Sequence, residues 1–280
     1  MSIKLNSDTL TMMLNNQMFQ SQRRLKTALE RLSSGKRINS AADDPAGLAI
    51  ASKFRANIKS YAAAKRNIND GISMVQTADG ALSEISNILT RVRELAVQAA
   101  DGTLNDTNRA SLHSEMTSLR TEIENIAQKT EFNKKYLLNG SQSSLDIQTG
   151  IGSSSNDRIS ITFTSASVTA IGSTGSSTLN SIDISSQTNA QNALDVIDAA
   201  IDDISSIRAN VGTYQNRLSY AYNAAASAEE NLVASKARIE DVDVASESAE
   251  VTAQQIKIKA ASSLLAQIKY LPSIALDLIK

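Results

Sequence analysis

Across 280 residues the chain carries one histidine, His113, and no cysteine, so most side-chain sets that make or break bonds are missing. His113 falls in a helical pattern with Glu115 nearby, and no nucleophile is arranged around it as a general base would require. Metal binding would have to rest on carboxylates, and none has EF-hand spacing. Gly150-Ile151-Gly152 lacks the third glycine and the following helix of a phosphate-binding loop. Basic residues cluster at Arg23, Arg24, Lys26, Arg31, Lys36 and Arg37. They have no interleaved aromatics, and the formal net charge is -1, which argues against nucleic acid. Their natural counterpart is the acidic stretch Glu240, Asp241, Asp243, Glu247 and Glu250, within or between copies of the chain. Exposed pairs contribute about 0–1 kcal/mol each, so they matter through repetition. The chain is expected to be no enzyme, with no cofactor and no metal.

What remains is the chemistry of burial. Apolar residues make up 41% of the chain, aromatics only 4%, and tryptophan is absent. Cores must therefore come from Leu, Ile, Val and Ala, whose small size lets helices approach closely. No stretch of ~18 apolar residues could insert in a membrane, and Met1 to Gln20 has no basic-then-apolar signal.

Seven-residue periodicity dominates both ends. Ser7 to Ser33 reads as an amphipathic helix with Leu25, Ala28, Leu29 and Leu32 on one face, stopped by Ser33-Ser34-Gly35. Asp43-Asp44-Pro45 opens a second helix, acidic side chains capping free N–H groups and proline occupying the first turn. From there Phe54, Tyr61, Ile68, Val75, Leu82, Leu89 and Ala96 recur every seven residues, interleaved with Ile58, Ile72, Ala78, Ile85 and Val92. One helix from Pro45 to about Ala99 would be about 80 Å long. Gly71 and Gly80 inside it each cost ~1 kcal/mol relative to alanine, a cost that close packing can offset. Asp101-Gly102 breaks the pattern. A third helix, capped by Asp106 or Thr107, follows to Lys129 with Leu112, Met116, Leu119, Ile123 and Ile126 on its face, forming an antiparallel hairpin with the second.

Between Ser141 and Thr188 the composition turns to Ser, Thr and Gly. Alternating Ile159, Ile161, Phe163 and Ile182, Ile184 predict short strands on a surface, too few for a core of their own. A fourth helix from about Ala190 to Ser235 repeats Ile197, Ile204, Val211, Leu218, Ala225, Leu232 and Ile239, with Ala200, Ile207, Tyr214, Ala221 and Ala228 three residues on. Its matching period makes it the coiled-coil partner of the second helix. A last helix carries Ile256, Ala260, Leu264 and Leu265, ends near Pro272, and is followed by an apolar tail from Ile274 to Ile279. The fold class is mainly α: a long antiparallel coiled-coil helical bundle with a small β-hairpin-containing middle segment. The outermost stripes have no evident partner inside the chain and must be covered by something else to be stable in water.

Several runs are similar to those of bacterial flagellin. They are Glu30-Arg31-Leu32-Ser33-Ser34-Gly35, Arg37 through Gly47, Asn69-Asp70-Gly71-Ile72-Ser73, Arg91 through Gln98, Phe132-Asn133, Asn210-Val211-Gly212, Asn216-Arg217-Leu218 and Ala237 through Asp243. Near the C-terminus Leu265-Ala266-Gln267-Ile268-Lys269-Tyr270-Leu271 departs from the family's Asn- and Gln-rich pattern.

The resemblance implies a filament subunit, a homopolymer in a secreted, extracellular bacterial flagellum. It also implies type III export in an unfolded state, and termini that are disordered in the free monomer and order on assembly. The implied layout is an inner core from 1–44 and 239–280, a rod from 45–140 and 189–238, and a short segment, 141–188, in place of larger outer domains. Implied polymerisation residues are Leu25, Leu29, Leu32, Ile256, Leu264 and Leu265. Implied contacts of an export chaperone are Leu264, Leu265, Leu271, Ile274 and Leu278. Filament cap and hook-associated proteins are further partners, and Arg91, Leu95 and Glu115 match the surface bound by the vertebrate flagellin-sensing Toll-like receptor. Alternatives are a hook-filament junction protein or a secreted coiled-coil binding module such as an adhesin. Asn105-Asp106-Thr107 and Asn139-Gly140-Ser141 match the eukaryotic N-glycosylation pattern.

Overall fold

The structure, a computed structural model, describes the backbone of residues 7–142, 144–174 and 177–277, and the side chains from residue 9 to residue 268 within them. Five helices carry it: α1 (Ser7–Ser34), α2 (Pro45–Ala99), α3 (Asp106–Lys129), α4 (Gln187–Glu240) and α5 (Val244–Asp277). Two antiparallel hairpins lie between α3 and α4: β1 (Glu131–Phe132) with β2 (Lys135–Tyr136), and β3 (Leu145–Gln148) with β4 (Arg158–Ile161). The mainly helical class and the small β component expected from the sequence are both present. The chain divides into two compact units, one of residues 1–58 and 230–280, the other of 59–229. The divisions fall inside α2 and α4.

Helix boundaries follow local chemistry. Gly35 ends α1 at φ 71, the left-handed conformation that glycine adopts without Cβ strain. The two aspartates before Pro45 divide their work. Asp44 Oδ1 accepts the Gly47 N–H at 2.9 Å and so caps α2, while Asp43 Oδ2 closes the preceding loop by accepting from Asn39 N, Ser40 N and Ser40 Oγ. These bonds hold the Asp43 carboxyl below its usual range, the Ser40 N–H having the largest effect. Asn105, rather than Asp106 or Thr107, caps α3, accepting from Asn108 N at 2.8 Å. Helix α5 runs on through Pro272 to Asp277, beyond the expected stop, although an interior proline removes one N–H bond and crowds the preceding turn at a cost of about 3 kcal/mol.

In residues 59–229 the heptad series face inward as expected: Ile68, Val75, Ala78, Leu82, Ile85, Leu89, Val92 and Ala96 of α2 are buried, as are Ile197, Ile204, Val211 and Leu218 of α4. Lys65–Glu229 at 2.6 Å, Asp79–Arg208 at 3.0 Å and Arg93–Asp198 at 2.6 Å run in opposite senses along the two helices and set them antiparallel. Gly71 is a close-packing glycine, since a Cβ there would meet Ile147 at 3.3 Å and Leu218 at 3.5 Å. Gly80 is exposed, with nothing within 4 Å of such a Cβ, so packing does not account for it.

The middle segment differs from its expected surface position. Ile161, Phe163, Ala166, Val168, Ile171, Leu179 and Ile184 are buried in the same core as α2, α3 and α4. Only the Ile159–Ile161 alternation becomes a strand. Ile182 and Ile184 follow a short 3-10 turn, Leu179–Ser181, and alternate inward without a sheet partner.

Candidate functional site

In the unit built from residues 1–58 and 230–280, α1 packs against α5. The Lys36–Asp241 bridge is antiparallel, and Arg31 lies 3.9 Å from Glu247. Burial along the pair follows an alternating three- and four-residue spacing. On α1 it is Leu14, Met18, Ser21, Leu25, Ala28 and Leu32. On α5 it is Val251, Gln254, Ile258, Ala261, Leu265 and Ile268. Ser21, Ala28, Gln254, Ala261 and Ile268 are the buried members, and the others are half-buried. Apart from Ile268, the buried members of the seam are therefore small or polar, and half-buried larger apolar residues flank them.

The six polymerisation residues drawn from the resemblance split evenly. Leu25, Leu32 and Leu265 belong to the internal seam. Leu29, Ile256 and Leu264 point away from it, 46%, 61% and 47% exposed. Leu10, Met12, Met13 and Phe19 of α1 and Val244 of α5 are exposed too. Leu25 and Leu29, with Gln22, Lys26, Glu30, Ser33 and Ser34, line an open groove of about 550 Å³ on α1. Each outward aliphatic still withholds roughly 1 kcal/mol of burial, about half the worth of a fully covered side chain. Leu271, Ile274 and Leu278 lie outside the described side chains.

Two of the six basic residues, Arg31 and Lys36, pair with carboxylates of the acidic stretch within one chain, and Arg37 reaches backbone carbonyls beside it. Arg31 lies near Asp43 and Glu247, Lys36 Nζ pairs with Glu240 at 2.6 Å, and Arg37 donates to the Ile239 carbonyl at 2.7 Å. Arg37 N–H donates to the Glu240 carbonyl and Val242 N–H to that of Gly35. The turn after α1 is thereby laced to the turn between α4 and α5. Glu240 itself, 2% exposed, takes Lys36 and Arg55, the latter at 2.8 Å, with Lys236 at 4.0 Å. Lys36 above all, and then Arg55, hold its carboxyl below the usual range against the opposing effect of burial. Nothing in the sequence singled Glu240 out from its acidic neighbours, because burial of one carboxylate among several depends on the turn that closes over it.

In the other unit Arg91 grips Glu115 through Nη2 at 2.9 Å and Nε at 3.2 Å, and also reaches Glu94 at 3.0 Å. Those carboxylates, Glu94 first, raise the guanidinium's pKa. Leu95 is 1% exposed and sits in the core. It supports this surface from below and does not present its side chain there. The β1–β2 hairpin escaped the sequence reading. Its signal was Asn133-Lys134, both at positive φ, 50° and 62°, the backbone of a two-residue hairpin turn that asparagine tolerates. His113 Nδ1 accepts the Ile184 N–H at 3.3 Å and lies 3.2 Å from Asp183, holding the chain that enters α4. Among the described residues no group of three or more potential metal ligands occurs, and no helix is long and apolar enough to cross a membrane.

Paired terminal helices with uncovered apolar faces, joined in sequence to a second unit with a closed core, are the architecture of a helical structural protein rather than of a catalytic cleft. The family model described as the bacterial flagellin N-terminal helical region matches residues 5–143, and that of the bacterial flagellin C-terminal helical region matches 194–279. The chain belongs to the bacterial flagellin family and is a structural subunit of the extracellular flagellar filament. It is 42% identical to a flagellin of Halalkalibacterium halodurans, covering 90% of this chain and 91% of the relative. It is 40% identical to a flagellin of Bacillus subtilis, with the same coverage. Flagellin A of Vibrio cholerae is 32% identical over the whole of both chains. A putative flagellar hook-associated protein from Vibrio parahaemolyticus shares the fold, with a TM-score of 0.60 and 15% identity, covering 71% of this chain and all of that one.

Proposed function

We propose that filament growth covers the outward faces of α1 and α5, with residues 1–44 and 239–280 forming the inner core and 45–140 with 189–238 the rod. The observation that carries this is the division of the terminal helices' apolar residues. A seam whose buried members, apart from Ile268, are small or polar holds the pair together, and Leu29, Ile256 and Leu264 are left for neighbours. Swimming follows from the stiffness and supercoil of the resulting tube, with no bond chemistry. The apolar residues of the C-terminal sequence, exposed Leu264 with Leu271, Ile274 and Leu278 further along the chain, are a liability before assembly if left uncovered. It suits an export chaperone in the cell, and Leu265 would be available to that partner only if the seam opened. Cap and hook-associated proteins would meet the same helices at the filament ends.

Full-length chain added to short filament seeds tests the reading. Wild type should elongate them without limit, whereas Leu29→Ser with Ile256→Ser should leave a folded monomer that does not elongate. Unimpaired elongation by that variant would overturn it, and growth of wild type that stops after a few layers would favour the junction-protein reading. A second reading is favoured by the exposed Arg91–Glu115 pair. The soluble monomer activates the vertebrate flagellin-sensing Toll-like receptor through these two residues, with Leu95 holding their backbone in place. Silence of the purified monomer in a receptor reporter assay at high concentration would refute it.

A further inference from the structure

The sequence contains a single Asn-Gly pair, Asn139-Gly140, at the point where the chain leaves the core. Leu137 and Leu138 are buried, and the Leu138 carbonyl accepts the Ala166 N–H at 2.9 Å. Asn139 is half-buried and Gly140 exposed. The Ser141 N–H donates to Asn139 Oδ1 at 2.9 Å. That bond polarises the side-chain carbonyl and would stabilise the oxyanion formed when a nucleophile adds to its carbon. The nucleophile at hand is the next backbone nitrogen. Gly140 N–H donates to no protein acceptor among the described residues, and the exposed glycine has no Cβ of its own to crowd that nitrogen, although Ser165 packs within 3.2 Å of where one would sit.

We propose that Asn139 is a site of spontaneous deamidation, with water as co-reactant. Gly140 N bonds to Asn139 Cγ, its proton passes to water, and the amide nitrogen takes up a proton and departs as ammonia. Water then opens the five-membered succinimide at either carbonyl. The products are aspartate, or isoaspartate, whose main chain is one carbon longer. The balance is one water consumed and one ammonia released, with no change in oxidation state.

Three Asp-Gly pairs in the same chain serve as comparisons. Asp70-Gly71 and Asp79-Gly80 lie inside α2, where each glycine N–H is committed to the carbonyl four residues back. Asp101-Gly102 has the same turn, Thr103 N–H donating to Asp101 Oδ1 at 3.0 Å. Its carboxyl, however, is held ionised by that Thr103 N–H and by the Thr103 hydroxyl, and a carboxylate resists nucleophilic addition. Geometry and electrophile coincide only at Asn139. Conversion there adds a negative charge and lengthens the link between Leu138 and Ser141, so a subunit outside the cell would acquire a chemical record of its age.

The test is to incubate the folded full-length chain at mildly alkaline pH in heavy-oxygen water, beside a free peptide spanning Tyr136–Arg158. Tryptic mapping and enzymatic methylation of isoaspartate give the readout. The expected result is that Asn139 loses its amide before any other asparagine, incorporating heavy oxygen and becoming methylatable, and that Asn139→Gln abolishes the signal from this peptide. An amide still intact in the folded chain when the free peptide has fully converted would overturn the proposal. The readout needs no polymerisation, so it stands or falls apart from the filament reading.

Discussion

The two units use one periodicity for opposite ends. Within residues 59–229 the seven-residue stripes of α2 and α4 are closed over by each other, by α3 and by the middle segment, and side chains as large as Ile68, Leu82 and Leu89 are 0% exposed. Within the other unit the same spacing along α1 and α5 buries only Ser21, Ala28, Gln254, Ala261 and Ile268 at its centre. Among the described residues Arg31 Nε, Glu240 Oε2 and Gln254 Oε1 in this unit lack a hydrogen-bond partner, against Glu229 Oε2 in the other. A helix with one partner buries one seam, whereas full burial of its apolar surface needs several. The contrast shows that a heptad pattern specifies that a face must be covered and leaves open who covers it.

The contrast is most exposed to failure in paired truncations. Leu82→Ala, at a fully buried position, should destabilise the monomer by about 2–5 kcal/mol. Leu29→Ala should leave monomer stability within about 0.5 kcal/mol while slowing seeded elongation severely. Thermal melts of soluble monomer and seeded growth rates separate the two. Equal damage to the melt by both substitutions would mean that the units do not differ as described.

Next in size is the buried carboxylate that laces the turns of the terminal unit. Glu240→Gln should cost about 1–3 kcal/mol, the worth of charged hydrogen bonds, toward the lower end because Lys36 and Arg55 are 43% and 46% exposed and can return to water. Its pKa is depressed in the folded state. The stabilisation is therefore complete above the unfolded pKa of glutamate and is lost as pH falls through the lower folded value. Acid titration should loosen proteolytic protection around residues 35–37 and 240–243 in wild type, and Glu240→Gln should lack that dependence there, while the 39–43 loop, closed by the Asp43 carboxylate, should keep its own acid response in both. An identical acid profile in the two would place the acid response elsewhere.

Gly80 and Gly71 offer a smaller contrast on one helix. Gly80→Ala should raise monomer stability by up to about 1 kcal/mol through helix propensity, since its surroundings are open. Gly71→Ala pushes a Cβ against Ile147 and Leu218 and should cancel that gain or reverse it. Equal gains from both would mean that the β3–β4 hairpin yields easily to the extra methyl group.

The sequence revealed most where one rule decides. Helix α2 was read from Pro45 to Ala99 because the cap, the proline and the unbroken stripe agree, and Gly35 marked the end of α1 by its backbone freedom alone. Partnership was harder to see. Leu25, Leu29 and Leu32 read as one face, yet only the spacing shared by α1 and α5 sets Leu29 apart. Leu95 looked like a surface residue by resemblance and is part of the core, because its neighbours on α3 and α4 cannot be read from α2. Ile171 and Leu179 sit in a Ser- and Thr-rich stretch whose composition suggests exposure, and the closed core of three helices recruits them nonetheless.

The smallest effect concerns the ion pairs between α2 and α4. Lys65, Asp79 and Arg93 are fourteen residues apart on α2, two heptads each, and meet Glu229, Arg208 and Asp198. On α2 that spacing returns each charge to the same flank of the stripe, while the partners on α4 are 21 and 10 residues apart and reach them through long side chains. Asp79 and Arg208 are 43% and 38% exposed, so Arg208→Ala should cost no more than about 1 kcal/mol and less as salt rises. Repetition gives such pairs a different use: a one-heptad slip leaves the apolar stripes in contact but moves every charge off its partner. Reversing Asp79 and Arg208 together should restore the wild-type melt, while reversing Asp79 alone should lower it at low salt and recover at high salt. A salt-independent deficit in the single reversal would show that the position acts through packing, and that register is held by the apolar stripes alone.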